Sequence, residues 1–492
     1  MNIIYNHRRK HFSILLLCVL IPLVGCKKFI EVDPPATSVN EGNVYAYNST
    51  ASAAIMGIYA QMSNNFFLRD VSMYTELSAD NLKLFNNNKT DYSSYYQNGL
   101  VTVTDNTPMF WRLIYPYIFN VNSAIEGLNN SIGVTSPVKE HLLGEAYFLR
   151  AFFYFYLVNS YGDVPLALTT DYIVNNNLSR TPSTQVYTQI IDDLKKAKEL
   201  LSDEYLKADA LTTFPTGQEE RIKPTRSSAA AFLARVYLYR KDWADAEKAA
   251  TEVINNTSQY SPTSLGQVFL KNSRESIWSI PGVSIGNPNT AWGDVLILRP
   301  GGPGDVLDRI LYLSPDFVDV FQNGDQRKKI WTSSVTDVNN QSYSYAFKYK
   351  ATSADAASEY MVILRLGEQY LIRAEARIQQ NKVAEGIADL NVLRDRAIDK
   401  SEPDENLKFK LLSTTLSKEA ALEALVYERR VEMFCEWGDR WYDLKRTGQV
   451  DAVMSQATVK KGGTWASFKQ WYPVPADEIR INTKLSQNTG YN

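Results

Sequence analysis

Histidine and cysteine are nearly missing from this chain of 492 residues, which has three of each. His7 and His11 fall in the first dozen residues, so His141 stands alone in the remainder. A zinc-type site draws on several such ligands, so no transition-metal centre is expected. A Ser-His-Asp triad would need His141 as its base, but no G-x-S-x-G elbow presents a serine to it. The histidine reads instead as a partly exposed helical residue. Calcium needs only oxygen ligands, which Asp- and Asn-rich loops could supply, yet no EF-hand spacing occurs. The glycine-rich GGPGD at 301–305 lacks the Lys-Ser/Thr ending of a phosphate loop and opens no helix, so it reads as a turn. No cofactor is expected.

Long apolar runs are also lacking. The longest, from Phe12 to Val24, is shorter than the roughly 20 residues of a membrane span and follows Arg8, Arg9 and Lys10. That arrangement reads as an export signal. It ends in Leu23-Val24-Gly25-Cys26, a lipobox, so cleavage before Cys26 and acylation there would attach the chain to a membrane. An ordinary secretory signal is the alternative. With Cys18 and Cys26 so used, Cys435 has no disulfide partner. Loss of residues 1–25 removes three cations and no acid, taking the formal net charge from −2 to −5. A mildly acidic surface excludes nucleic acid as the expected partner, because a phosphate backbone calls for a basic one.

What is present in quantity is helix-forming pattern. Residues 26–48 are polar, contain a Pro-Pro pair and read as a tether, so a single domain is expected over 49–492. Helices are predicted over Ser49–Met62 and Met109–Leu128, where Trp111, Ile114, Ile118, Val121 and Ile125 recur at helical spacing. GEAYFLRAFFYFYLVNSYGDVPLAL, Gly144 to Leu168, is apolar on every face and must lie in a core. Ser136-Pro137 supplies an N-cap and first-turn proline, Gly162 a left-handed C-cap, and Pro165 holds Val164 extended. Leu233, Ala234, Tyr237, Trp243 and Ala246 fall at tetratricopeptide offsets. A second copy has Ala374, Val383 and Gly386 at those offsets but Arg377 where a large aromatic is usual.

Three segments interrupt this scaffold. Residues 64–108 have no clear periodicity, residues 257–360 are rich in glycine and proline, and residues 449–471 carry Gly462, Gly463, Trp465 and Trp471. Brief strands are predicted at Ser276–Ile280 and Val295–Leu298. The expected architecture is a mainly α body with irregular loops gathered over one face.

Two constellations could carry function. Glu428, Glu432, Glu436 and Asp439 alternate with Arg429, Arg430 and Arg440, and a glycoside hydrolase needs only two carboxylates. Acids alternating with arginines on shared helix faces read better as a salt-bridged structural network. The second constellation is aromatic: Tyr92, Tyr95, Tyr96, Trp292, Tyr312, Trp331 and Trp465 sit in polar, loop-like contexts. Flat rings beside Asp80, Asn81 and Arg299 suit the apolar face and hydroxyl rim of a sugar. Trp292 ranks first, because an indole between NPNT and Gly293-Asp294 has little local core to fill.

Five blocks, in order, carry a family resemblance: the Gly144–Leu168 segment, SPDFVDVFQNGDQRKKIW (314–331), ILRLGEQYLIRAEARIQQNK with LNVLRDRA (363–397), YERRVEMFCEWGDRWYDLKRTG (427–448), and YPVPADEIRINTKLSQNTGY (472–491). Together they resemble the SusD/RagB family of nutrient-binding lipoproteins in Bacteroidetes. The resemblance implies a SusD-like helical fold on an outer-membrane, lipid-anchored protein facing the cell exterior. It further implies a glycan or peptide ligand, a SusC-like TonB-dependent transporter as partner, and no catalysis. It names no ligand residue. A lipid-anchored glycoside hydrolase and a protein-binding tetratricopeptide-like scaffold are the alternatives.

Overall fold

The apolar segment around Gly144 forms one long helix, Ser136–Tyr161, buried on all sides from His141 onward. Thr135, not Ser136, is its N-cap; Asn48 holds that end by accepting from the Thr135 N–H at 2.9 Å. Gly162 ends the helix at φ 74°, ψ −124°, a positive φ that suits glycine but not the left-handed helical conformation expected. Its N–H donates to the Val158 carbonyl, and Val164 then pairs with Thr181. This computed structural model describes residues 43–64, 67–85, 90–102, 109–282, 288–304, 309–352 and 355–491. The export signal, Cys26 and most of the tether lie outside the described residues.

Residues 45–492 form one unit, mainly α. Successive helices lie side by side in the order Met109–Asn130, Ser136–Tyr161, Ser183–Leu200, Arg226–Arg240, Trp243–Asn255, Leu366–Gln379 and Val383–Asp395, with Lys418–Met433 against the last two. The two tetratricopeptide-like copies therefore stack directly, Trp243–Asn255 on Leu366–Gln379, although the chain between them is long. Small residues permit this approach. Ala234, Ala246 and Ala374 are buried, and a Cβ on Gly386 would come within 2.8 Å of the Ala374 carbonyl oxygen. Arg377, the departure from the pattern, binds Glu247 of the first copy at 3.1 Å and Asp389 of its own at 2.9 Å. An ion pair between the copies stands where an aromatic would pack. Among the described residues no helix is long and apolar enough to cross a membrane.

The insertions hold more regular structure than their composition predicts. Residues 64–108 contain the helix Phe67–Ser78, strand β1 (Leu82–Leu84) and the helix Thr90–Tyr96. Phe67–Ser78 carries Phe67, Leu68, Val71, Tyr74 and Leu77 at helical spacing, and nearly all its faces are buried, its polar side chains included. In the second insertion, β2 (Ser276–Ile280) forms as predicted. Val295–Leu298 forms no strand, because Ala291–Leu296 is a short helix capped by Thr290. β3 (Leu311–Leu313), β4 (Thr332–Thr336) and β5 (Ser342–Ala346) follow, then β6 (Met361–Arg365). The strands pair antiparallel as β1–β3, β2–β6 and β4–β5. Residues 449–471 are largely the helix Val450–Lys460 and the 3₁₀ turn Ser467–Gln470.

The alternating acids and arginines become a buried ionic network with partners from distant segments. Glu428 meets Arg327 at 2.9 Å and also Arg394; Glu432 meets Arg365 at 2.7 Å, Arg327 at 3.2 Å and also Arg396. Glu436 joins Arg365 and Lys348, while Asp439 joins Arg429. Burial pushes the Glu432 carboxyl up, but Arg396, Arg365 and Arg327 outweigh it and hold the group well below the ordinary carboxylate range. His141 is likewise buried rather than partly exposed. It lies 3.4 Å from Glu145, whose carboxylate also binds Lys223 at 2.6 Å and Tyr59 at 2.7 Å. Burial lowers the histidine's pKa, so it stays neutral inside this cluster.

Candidate functional site

β1 belongs to the first insertion and β3 to the second, so their pairing brings the two together. Leu82 lies opposite Leu313, Lys83 opposite Tyr312, and Leu84 opposite Leu311. Directly opposed residues project from the same face of a ladder, which puts the Lys83 ammonium and the Tyr312 phenol side by side. The helix Val450–Lys460, from the third insertion, closes the remaining wall. Between them lies a pocket of about 310 Å³. Asp80, Lys83 and Tyr96 line it from the first insertion; Ser314 and Asp316 follow β3; Gln456, Lys460 and Lys461 come from the third; Arg430 and Arg440 rise from the scaffold.

One carboxylate organises this pocket. Asp80 accepts from Arg440 Nε at 2.7 Å and Nη2 at 3.0 Å, and from Arg430 Nη2 at 2.8 Å. Burial pushes its pKa up, but Arg440, Arg430 and Lys461 prevail and hold it at about 2. Arg430 also donates through Nε to Asn81 Oδ1 at 3.2 Å. Lys461 donates to the backbone carbonyls of Leu77 at 2.7 Å and Ser78 at 3.3 Å, with its ammonium 5.0 Å from the centre of the Tyr96 ring. Burial lowers Lys461 to about 7, against the opposing pull of Asp80 and Glu76. Lys460 pairs with Asp316 at the exposed rim.

Beside the pocket runs an aromatic ridge. Tyr343 in β5 packs edge-on against Tyr312 at 5.2 Å and against Phe85 at 5.9 Å. The turn carrying Arg299 seats Gly302 at φ 88° against the Tyr343 ring. Arg299 is exposed there, and Tyr312 is half-buried.

Of the expected candidates, Asp80 and Tyr96 thus line the pocket, Asn81 bonds its Arg430, and Tyr312 and the turn that carries Arg299 meet Tyr343. Other expected candidates do none of these. Tyr95 is buried against Tyr74, Phe110 and Tyr472, and Tyr92 packs on Tyr74. Tyr95 is core, Tyr92 is half-buried against that core, and Tyr96 presents little of its ring beneath Lys461. Trp331 is core as well, donating to the Leu265 carbonyl at 2.8 Å, while Trp465 caps Asp451 at the same distance.

Trp292 requires the plainest correction: only 1% exposed, it donates from Nε1 to the Cys435 carbonyl at 2.8 Å. The core it fills lies far along the chain, in the turn after Lys418–Met433. There Cys435, Trp437 and Gly438 all take positive φ, at 57°, 52° and 68°. Two non-glycine residues in that region are costly, and the indole is one brace that keeps them there. The Trp437 indole, which donates to Val362 at 2.8 Å, is another.

Lys83, Phe85, Tyr343, Arg430, Arg440, Lys460 and Lys461 were not among the expected site residues. The ERR and GDR arginines were visible in the sequence but read as scaffold. Tyr343 lies in SYSYA, whose alternation marks a strand with one aromatic face, the one signal that could have found it.

A second concavity, about 230 Å³, lies between Trp111, Tyr115, Phe119 and Asn482. Three of its amide nitrogens are already committed: Asn122 donates to Ala167, Asn175 to Thr169 and Asn482 to Leu178. The first pocket gathers two arginines and three lysines and is the better candidate. Among the described residues no group of three or more histidines, cysteines or carboxylates could hold a metal ion.

Comparison with known proteins agrees with this architecture. Residues 28–238 match a family model described as starch-binding associating with outer membrane, and residues 316–491 match the model of the SusD family. SusD-like protein P2 of Formosa agariphila is 26% identical over 98% of this chain and 100% of its own length. A SusD superfamily protein from Bacteroides thetaiotaomicron superposes with a TM-score of 0.75 at 21% identity, covering 90% of this chain and 99% of that one. Surface glycan-binding protein A from Bacteroides fluxus gives 0.72 at 20% identity, over 91% and 100%. With two family models covering both ends of the described unit and relatives matching nearly end to end, the chain belongs to the SusD/RagB family.

Proposed function

We propose that this protein is a non-catalytic surface lipoprotein that binds an extracellular oligo- or polysaccharide at the β1–β3 pocket and delivers it to a TonB-dependent outer-membrane transporter. The convergence of three insertions on one pocket, with pre-set donors beside an aromatic ridge, carries this reading. Sugar rings offer an apolar face to Tyr312 and Tyr343 and hydroxyls to the arginines. The family supports it too, since SusD proteins are outer-membrane-associated nutrient-binding proteins. The Cys26 lipobox is the reason to expect a lipid anchor.

The carboxylates support binding rather than hydrolysis. Glycoside cleavage needs one carboxyl held protonated as acid and another as base or nucleophile across the substrate. Asp80 is pinned by two arginines at about 2, and Asp316 is exposed and paired with Lys460. Glu76 is raised to about 8, by burial first and by Asp439 second, but it is wholly buried beneath the pocket and lines none of it.

Incubating the purified mature protein with a glycan panel tests the reading. Binding with no released product is expected. Product release would establish the hydrolase alternative, and neither binding nor turnover would favour a protein-binding scaffold. Affinity purification from native membranes should recover a large β-barrel near stoichiometry.

A further inference from the structure

We infer that the β1–β3 pocket takes an acidic sugar, one bearing a carboxylate or sulfate, with Arg430, Arg440 and Lys83 receiving the anion. This rests on the glycan-binding reading and names the class of glycan. Five cationic side chains line the pocket, Lys83, Arg430, Arg440, Lys460 and Lys461, against two carboxylates, Asp80 and Asp316. A chain of formal net charge −2 has concentrated positive charge in one concave place.

The donors are committed to the protein only in part. Asp80 serves two guanidiniums, so one negative charge balances two positive ones. Arg440 spends Nε and Nη2 on that carboxylate, and Arg430 spends Nη2 there and Nε on Asn81. Among the described residues Nη1 of each makes no hydrogen bond. Among the described residues Lys83 makes no direct ion pair, though its charge reaches Asp316, and the hydrogen bonds of Lys461 go to neutral carbonyls. Guanidiniums oriented by a shared carboxylate lose little freedom when an anion arrives, which suits bidentate capture of carboxylate or sulfate.

A bare inorganic anion would satisfy the charge but not the site. Tyr312 stands opposite Lys83 in the ladder, with Tyr343 edge-on to it, so an aromatic surface begins where the cationic one ends. An acidic sugar has both complements, an anionic group and a C–H face.

Titration calorimetry of the mature protein should use a galacturonate hexamer, its methyl ester, a sulfated galactan oligosaccharide and its neutral counterpart, at low and high salt. The hexamer or the sulfated sugar should bind at least tenfold more tightly than its uncharged form, with salt weakening it, and whichever does so identifies the anion. Lys83→Gln should cost roughly tenfold for the acidic ligand, and Arg430→Gln, which also removes a donor to sugar hydroxyls, should weaken both forms but the acidic one more. Among the described residues the Lys83 side chain makes no hydrogen bond or direct ion pair, so its variant separates recognition from folding. Equal binding of charged and uncharged forms, or unaltered affinity in Lys83→Gln, would overturn the inference while leaving glycan binding intact. No binding of any of the four, or of a wider neutral panel, would remove the glycan reading itself.

Discussion

Lys83 and Tyr312 face each other across the β1–β3 ladder, although one belongs to the first insertion and the other to the second. The pairing brings an ammonium and a phenol together beside two arginines of the scaffold. It also makes the site depend on strand register, since a one-residue slip would turn both side chains to the opposite face.

Affinity for an acidic oligosaccharide should depend on pH. Lys461 has an ordinary value of 10.5 and is lowered by burial to about 7, so it is charged below that pH and neutral above. Glu76, near about 8, gains negative charge over the same interval, while Asp80 is already ionised. Both changes oppose an anion, so binding should be tightest below pH 7 and weaken above it. Lys461→Met should bind less tightly at pH 6 and show a shallower profile; a profile identical to the parent's would exclude Lys461 from recognition.

Trp292→Ala should act on stability and leave glycan affinity nearly unchanged. Removing a buried tryptophan costs about 3–5 kcal/mol. Trp292→Phe, which keeps most of the volume but strands the Cys435 carbonyl, should cost about 1–3 kcal/mol. Thermal melts and a glycan titration on both variants check this, and lost binding at unchanged melting temperature would reinstate Trp292 as a ligand residue.

Glu432→Gln should be among the most damaging single substitutions. Breaking a buried ion cluster from one side costs about 3–5 kcal/mol. Its folded carboxyl lies below the ordinary 4.5, so the contribution is complete above that pH and is lost progressively as pH falls toward the folded value. The difference in denaturant midpoint between parent and variant should hold at neutral pH and narrow in acid.

Gly438→Ala should fail for two reasons at once. The residue sits at φ 68°, and a Cβ there would lie 2.2 Å from Thr75 Oγ1 in the buried helix Phe67–Ser78. Left-handed strain and overpacking together should cost roughly 2–5 kcal/mol, visible as a lower melting temperature or lost soluble expression.

The helical body was legible from patterning alone. Every-face apolarity placed Ser136–Tyr161 in the core, and the Ala/Gly offsets marked both helix pairs, because close helix packing leaves a local signature of small residues. The network of Glu428, Glu432 and Glu436 was legible as structural, though its partners Arg327, Arg365, Arg394 and Arg396 were not.

The helix Phe67–Ser78 escaped notice although Phe67, Leu68, Val71, Tyr74 and Leu77 recur at helical spacing, because the polar residues that follow it made the whole insertion read as loop. Trp292 misled for a related reason: its polar neighbours in sequence say nothing of the Cys435 turn it braces. Helices and caps depend on residues a few positions apart, which the chain order displays. Pockets depend on which distant segments share a strand edge. Arg430 and Arg440 look like scaffold in their own block, and come to line a pocket once Asp80 orients them and β1 pairs with β3 beside them.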